Sequence, residues 1–205
     1  MNGEYQTPET AIFAYIIISM KKKITLFVSL LFAGTLLAQT SLPALDKSPM
    51  DISYYPNNYP VLKIQDKANE PLVARVVYSR PQKAGRIIFG GLVEYGKVWR
   101  TGANEATEIE FFRQVRIGGK KIGKGRYTLY ALINETSWTI IINKDTDTWG
   151  AFKYNPKRDV TRIEVPVLKN NDAVESLAMV FEKTITGINL IIAWDMVKVA
   201  LPITF

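Results

Sequence analysis

The chain has 205 residues, of which 47% are hydrophobic and 22% are charged, and its formal net charge is +7. This length and composition fit a folded domain with a proper core and exclude a fibrous or disordered chain. There is no cysteine and no histidine, which excludes a cysteine nucleophile, a Ser-His-Asp triad and a thiolate or histidine metal site. Any acid–base chemistry would therefore depend on Asp, Glu, Lys or Tyr.

The segment from Met20 to Thr40 has the three-part design of a secretory signal peptide. Lysines at 21–23 precede an apolar run over residues 24–37, and Ala38 supplies a small residue at the cut. We predict cleavage near Ala38, export to the periplasm or the medium, and no stable membrane anchor afterwards. Residues 1–19 would then be an upstream-start artefact. The alternative is an uncleaved anchor, in which the buried lysines would be costly.

Residues 39–60 contain prolines at 43, 49, 56 and 60 and show little periodicity. Because proline lacks a backbone N–H and disfavours helix in the residue before it, this segment is predicted to be an extended arm. Val61–Ile64 is predicted as an edge strand. The folded domain is expected over residues 61–205.

From Pro71 onward, short segments with alternating apolar and polar residues are divided by turn signals. The predicted strands are 72–79, 107–112, 114–117, 120–122, 126–133, 137–143, 160–168, 177–183, 187–195 and 196–204. Residues 172–182 also fit helical spacing, but β-branched surroundings and short turns favour a strand. Residues 144–159 are predicted to be a long polar loop. The pattern predicts an all-β domain, an antiparallel β-sandwich of nine or ten strands.

Several segments come in a specific order along the middle of the chain. They are Ser79-Arg80-Pro81, Gly85-Arg86, Ile88-Phe89-Gly90, Tyr95-Gly96, the run VWRTGANEAT at 98–107, and Trp149-Gly150 with Tyr154. Over about residues 50–205 the chain therefore resembles the domain of unknown function 2911 family. The resemblance implies an exported β-sandwich protein of the kind common in Bacteroidetes-type bacteria, without an established activity.

The stretch from Tyr78 to Thr107 concentrates arginines and glycines with a Trp-Arg and an Asn-Glu pair. An Arg guanidinium suits carboxylates, phosphates and sugar hydroxyls, and aromatic rings offer flat apolar walls. We predict a cleft that binds a small anionic or polyhydroxylated molecule, such as a glycan fragment, without a cofactor. The candidate residues are Arg80, Arg86, Trp99, Arg100, Asn104, Glu105, Trp149 and Tyr154.

A structural role is the main alternative for the same residues. Trp99 could belong to the core, Arg100 could pair with Glu105 to hold a loop, and Asn104 could cap a turn. The sequence does not choose between this role and a ligand site.

Two other functions stay open. Carboxylates among Glu94, Glu105, Glu108 and Glu110 could act as the acid pair of a glycoside-type hydrolase. An exposed sheet edge or the Tyr-Pro-rich arm could instead bind another protein. Basic residues form no long run, which favours a mixed solvated surface over nucleic-acid binding. A metal site is not expected either, because the calcium-loop pattern that starts at Asn143 is incomplete.

Overall fold

In this computed structural model, the described residues are Glu9, residues 12–13 and 15–23, and residues 42–205. The chain divides into two compact units, Met1–Ala44 and Leu45–Phe205. In the first unit the described residues up to position 23 are helical. No helix within the described part of the chain is long and apolar enough to cross a membrane. The apolar run and the cleavage site of the predicted signal peptide lie outside the described residues.

The second unit contains eleven strands in two antiparallel sheets. The strands are β1 Met50–Tyr55, β2 Ala74–Ser79, β3 Val98–Trp99, β4 Glu108–Phe111, β5 Val115–Ile117, β6 Lys120–Ile122, β7 Gly125–Ile133, β8 Ser137–Asn143, β9 Asp159–Pro166, β10 Leu168–Lys183 and β11 Gly187–Thr204. The larger sheet has the order β1-β2-β4-β7-β8-β9, with β3 also paired to β7. The smaller sheet has the order β10-β11-β5-β6. The predicted antiparallel β-sandwich is therefore confirmed.

Apolar side chains from both sheets form one core between them. Its largest fully buried side chains include Trp138 of β8, Phe111 of β4, and Phe181 and Trp194 of the β10–β11 pair. All residues of the main cluster lie between Tyr55 and Ile203. The chain from residue 39 onward thus carries the complete core of the sandwich.

The edge strand predicted over Val61–Ile64 is wrong, because Tyr59–Ile64 forms a short α-helix. Pro60 lies in its first turn, where a missing N–H costs no helical hydrogen bond. The N–H groups of Leu62 and Gln65 donate to the carbonyls four residues earlier. Pro60, which in the sequence indicated an extended arm, is therefore part of a helix.

Two further features of the sheets differ in detail from the sequence pattern. β1 lies in the segment predicted as an extended arm and pairs along its whole length with β2. The two strands predicted over 187–195 and 196–204 form one strand, β11, in which Asp195 has a left-handed backbone with φ at 53°. The strand predicted for 172–182 is confirmed as part of β10.

Candidate functional site

The segment 100–107 connects β3 to β4 and is fastened to the end of β2 by Ser79. The Ser79 hydroxyl is fully buried. It accepts a hydrogen bond from the Ala103 N–H at 2.8 Å and donates one to the Ala103 carbonyl. Gly102 lies so close to Ser79 that an added Cβ would be 3.1 Å from its Oγ. A side chain at position 102 would therefore press on this anchor.

Two buried threonines fix the other side of the same loop. Thr101 Oγ1 donates to the Leu129 carbonyl at 2.7 Å, and Thr107 Oγ1 donates to the Thr101 carbonyl at 2.9 Å. The backbone of Thr101 is left-handed, with φ at 52°. This conformation is unfavourable for a β-branched residue and persists only where the surroundings impose it. The loop thus holds the backbone of Arg100, the residue next to Thr101, in one position.

Arg100 lies in a cleft of about 320 Å³. The cleft is lined by Ser48, Pro81, Arg86, Leu92, Val93, Trp99, Arg100, Gly102, Ala103 and Trp194. Two of these side chains are cationic and none is acidic. The cleft therefore offers positive charge beside apolar walls.

The Arg100 guanidinium has no counter-ion within the described part of the chain. Its Nε is buried and has no hydrogen-bond partner. None of the ion pairs among residues 42–205 includes it. Burial lowers the pKa of Arg100 because the charged form loses solvation. The ion pair with Glu105 considered from the sequence does not form, and Glu105 is exposed.

The other two candidate arginines, Arg80 and Arg86, differ in whether their guanidinium groups pair with a carboxylate. Arg80 donates from Nη1 to Asp51 at 3.0 Å and from Nε to the Leu177 carbonyl at 3.1 Å. It therefore links the two sheets. Arg86 is exposed at the cleft and donates to the backbone carbonyls of Gln82 and Lys83. Its charge, unlike that of Arg80, has no carboxylate partner among residues 42–205.

Trp99 belongs to the aromatic core while its edge borders the cleft. Only 8% of its surface is exposed. Its ring stacks on Trp194 with centroids 6.1 Å apart and meets Trp138 edge to face at 5.7 Å. Its Nε1 donates to the Gly102 carbonyl at 3.1 Å, inside the loop that holds Arg100. Trp99 therefore supports the cleft from below and is not a free platform for a sugar ring.

Asn104, Glu105 and Trp149 meet at a different place. Asn104 takes the left-handed conformation that asparagine tolerates, and its carbonyl accepts from the Gly150 N–H at 2.9 Å. Glu105 and Trp149 form an isolated β-bridge. Trp149 and Phe152 are both exposed beside a cleft of about 400 Å³. The structure thus separates these three candidates from the Arg100 cleft.

Tyr154 is part of a side-chain network in the 144–159 loop. Its hydroxyl donates to Asp159 at 2.6 Å and accepts from Arg162 at 2.6 Å. Burial and the hydrogen bond to Asp159 raise the pKa of Tyr154 to about 12. Its ring meets Tyr130 edge to face, with centroids 5.1 Å apart. These contacts give Tyr154 a structural role.

Three of the four carboxylates considered for hydrolysis each form an ion pair, and the fourth, Glu105, is exposed and forms none among residues 42–205; the three paired ones are Glu94, Glu108 and Glu110. Glu105, Glu108 and Asp147 line a cleft of about 220 Å³. Arg126 bridges Glu108 at 3.0 Å and Asp147 at 2.5 Å. The hydrogen bond from Arg126 lowers the pKa of Asp147, whereas a general acid requires a raised one. Within the described residues, no group of three Asp or Glu side chains could hold a metal ion.

A family model described as "Protein of unknown function (DUF2911)" matches residues 61–203. The chain belongs to the DUF2911 family. This confirms the family predicted from the segments between Ser79 and Tyr154. Comparison with curated proteins and with solved structures finds no significant match. The family is one of unknown function, so the site itself is the guide to what this DUF2911 member does.

Sequence reasoning missed the residues that hold the cleft together. Trp194 forms a wall from a distant part of the chain, and nothing in its local pattern indicates this. Ser79 did leave a signal, since it is a hydroxyl residue at the end of an apolar strand pattern. A hydroxyl at the end of a core strand predicts an anchor for the next loop, and such an anchor is present here.

Proposed function

We propose that this DUF2911 protein is a binding module for a small anionic molecule, which it holds in the cleft around Arg100. The observation that carries the proposal is the buried Arg100 Nε, which has no hydrogen-bond partner or counter-ion among residues 42–205. Arg100 as a whole is half-buried, and a buried donor left without an acceptor costs about 1–3 kcal/mol. A carboxylate or phosphate bound in the cleft would supply the missing acceptor.

The lining of the cleft indicates the chemistry of the ligand. Arg100 and Arg86 can bind one anionic group with charge-assisted hydrogen bonds, for which the planar guanidinium is well suited. Pro81, Leu92 and the edge of Trp99 give apolar contact on the same cleft. Its volume of about 320 Å³ is near the lower end of ordinary ligand sites, which range over about 300–1,000 Å³. These features favour a small organic acid or phosphate ester with an apolar body.

The loop around Arg100 supports a binding role because it is already ordered. The Ser79 and Thr101 hydroxyls are buried and bonded to backbone groups, so the ligand need not organise the loop. A site that is fixed before binding loses less entropy when the ligand arrives. If the segment at 20–38 directs export as predicted, the ligand would be met outside the cytoplasm.

The experiment is a thermal-shift screen of organic acids, phosphate esters and acidic sugars, followed by calorimetric titration of the compounds that stabilise the protein. Arg100→Met keeps the length of the side chain and removes the charge. We expect it to weaken binding by about 10- to 100-fold, since a hydrogen bond to a charged group contributes about 1.5–3 kcal/mol.

Arg75→Gln is the matched control. Arg75 is on β2 and pairs with Glu110 at 2.7 Å, away from the cleft. Its substitution should leave the affinity unchanged. Equal affinity in wild type and Arg100→Met, or the absence of any stabilising anion in the panel, would contradict the proposal.

A further inference from the structure

The segment around the β5–β6 hairpin is strongly basic and its charges are mostly uncompensated. Between Glu110 and Glu135 the chain has six basic residues and no acidic one. Arg126 is paired with Glu108 and Asp147. The remaining five, Arg113, Arg116, Lys120, Lys121 and Lys124, are all exposed and form no ion pair with any of residues 42–205. The hairpin and its flanking residues thus present to solvent five cations that are free of ion pairs with residues 42–205.

The register of the hairpin places two of these cations directly opposite each other. Arg116 of β5 pairs with Lys121 of β6, so both side chains leave the same face. Like charges in this position are destabilising. The Arg116 guanidinium donates to the backbone carbonyl of Gly119 at 3.2 Å and forms no ion pair among residues 42–205. An external anion would remove the repulsion between Arg116 and Lys121.

Exposed apolar side chains lie beside these cations. Ile185, in the turn between β10 and β11, is fully exposed. The next residue, Thr186, lines a cleft of about 420 Å³ together with Arg113, Arg116 and Phe205. The Arg113 guanidinium is 5.1 Å from the centroid of the Phe205 ring, which is itself partly exposed. An isoleucine and a phenylalanine therefore stand within the basic surface.

The short helix Tyr59–Ile64, which connects β1 to β2 of the larger sheet, extends this surface. The Asn57 side chain donates to the Phe181 carbonyl at 3.1 Å, and Glu70 pairs with Lys183 at 2.9 Å. These contacts tie the chain on both sides of the helix to the end of β10, just before the β10–β11 turn. The helix has no buried residue, and Ile64 is among its most exposed. It adds a second apolar projection to the same end of the domain.

We propose that this end of the domain docks peripherally on an anionic phospholipid surface. The free cations would contact headgroup phosphates, while Ile185 and Ile64 would enter the boundary between headgroups and acyl chains. Basic residues next to exposed apolar side chains are the combination that binds such surfaces. Nucleic acid would use the cations but has no need of two projecting isoleucines. The Arg100 cleft lies at the other end of β2, so the membrane would leave it open.

The test uses residues 39–205, which carry the complete core, and vesicles of phosphatidylglycerol and phosphatidylcholine. We expect sedimentation with mixed vesicles and none with pure phosphatidylcholine. The variant Lys120→Gln/Lys121→Gln should weaken binding by about 25-fold, since each cation near an anionic surface contributes about fivefold. Lys153→Gln/Lys157→Gln removes two exposed lysines from the 144–159 loop and should change nothing. Equal weakening by both variants, or no binding to the mixed vesicles, overturns the proposal.

Ile185→Ser distinguishes a membrane from other polyanions. Because Ile185 is fully exposed, the change should leave the melting temperature unaltered. We expect it to weaken binding to the mixed vesicles severalfold and to leave any binding to duplex DNA unchanged. If Ile185→Ser has no effect on vesicles, while the Lys120/Lys121 variant weakens binding to vesicles and to DNA alike, the surface is a general polyanion site and the proposal is wrong.

Discussion

Two irregular loops of this domain are equally polar in sequence, yet they handle their charges in opposite ways. In the 144–159 loop the acids are neutralised, with Asp145 bound to Arg158 at 2.8 Å and Asp159 bound to Arg162 at 2.7 Å. In the 100–107 loop, buried hydroxyls hold the backbone, and Arg100 has no partner within residues 42–205. A loop whose charged side chains pair with one another has a structural role. A loop that holds one half-buried charge without a partner is a candidate site.

The largest expected difference between the two loops is the loss of stability when the tryptophan beside each one is replaced by alanine. Trp194→Ala removes a fully buried indole that stacks on Trp99 below the Arg100 cleft. It should lower the free energy of unfolding by about 3–5 kcal/mol, the usual cost of deleting a buried aromatic ring. Trp149→Ala, in the other loop, removes a ring that is 62% exposed and should cost less than about 0.5 kcal/mol.

Urea denaturation of the two variants measures this difference. Wild-type protein under the same conditions gives the reference, and an unchanged m-value shows that the unfolding transition stays comparable. If both variants lose a similar free energy of unfolding, the two tryptophans contribute equally to stability, and the expected difference between the two loops is wrong.

The hydrogen-bonded network of the 144–159 loop predicts a pH dependence. The pKa of Tyr154 is about 12 in the folded protein, above its ordinary value of 10.0. The folded state therefore keeps a proton that the unfolded state releases in this interval. The stabilisation that the Tyr154 hydroxyl contributes is fully present below pH 10 and is lost as the pH rises toward 12.

Tyr154→Phe should consequently flatten the decline in stability between pH 10 and 12 relative to wild type. At neutral pH it should cost about 0.5–1.5 kcal/mol, because the Asp159 and Arg162 hydrogen bonds to the hydroxyl are lost. Denaturation curves at several pH values, with tyrosines elsewhere unchanged in both proteins, measure the difference. Parallel pH curves would show that the network does not hold the Tyr154 proton.

The sequence was informative about the sheets because strand periodicity is local. Alternation within 107–112, 126–133 and 137–143 predicted β4, β7 and β8 closely. β3 was missed because a strand of two residues is too short to show a period. The helix at Tyr59–Ile64 was missed because proline excludes the interior of a helix but suits its first turn.

The site was predictable only in part, because it depends on which strands become neighbours. Arg86, Trp99 and Arg100 do meet at one cleft, as their place in one segment suggested. Trp149 and Tyr154 follow β8 and lie elsewhere, since the sheet order carries them away from the end of β2 where the cleft is found. The residues near Arg80 and Arg100 in the sequence also cannot show that Arg80 forms an ion pair and that Arg100 forms none among residues 42–205. That distinction depends on Asp51, a residue nearly thirty positions away from Arg80.

The central claim is that Arg100 is held for a ligand and not for the fold. The most direct measurement is the free energy of unfolding of Arg100→Met in the absence of added ligands. If the charge has no partner, the apolar side chain should leave stability unchanged or raise it by up to about 1 kcal/mol. Arg158→Met, which breaks the ion pair with Asp145, should instead cause a small loss of up to about 1 kcal/mol. A loss of 2 kcal/mol or more in Arg100→Met would show that the guanidinium stabilises the fold, which contradicts the account.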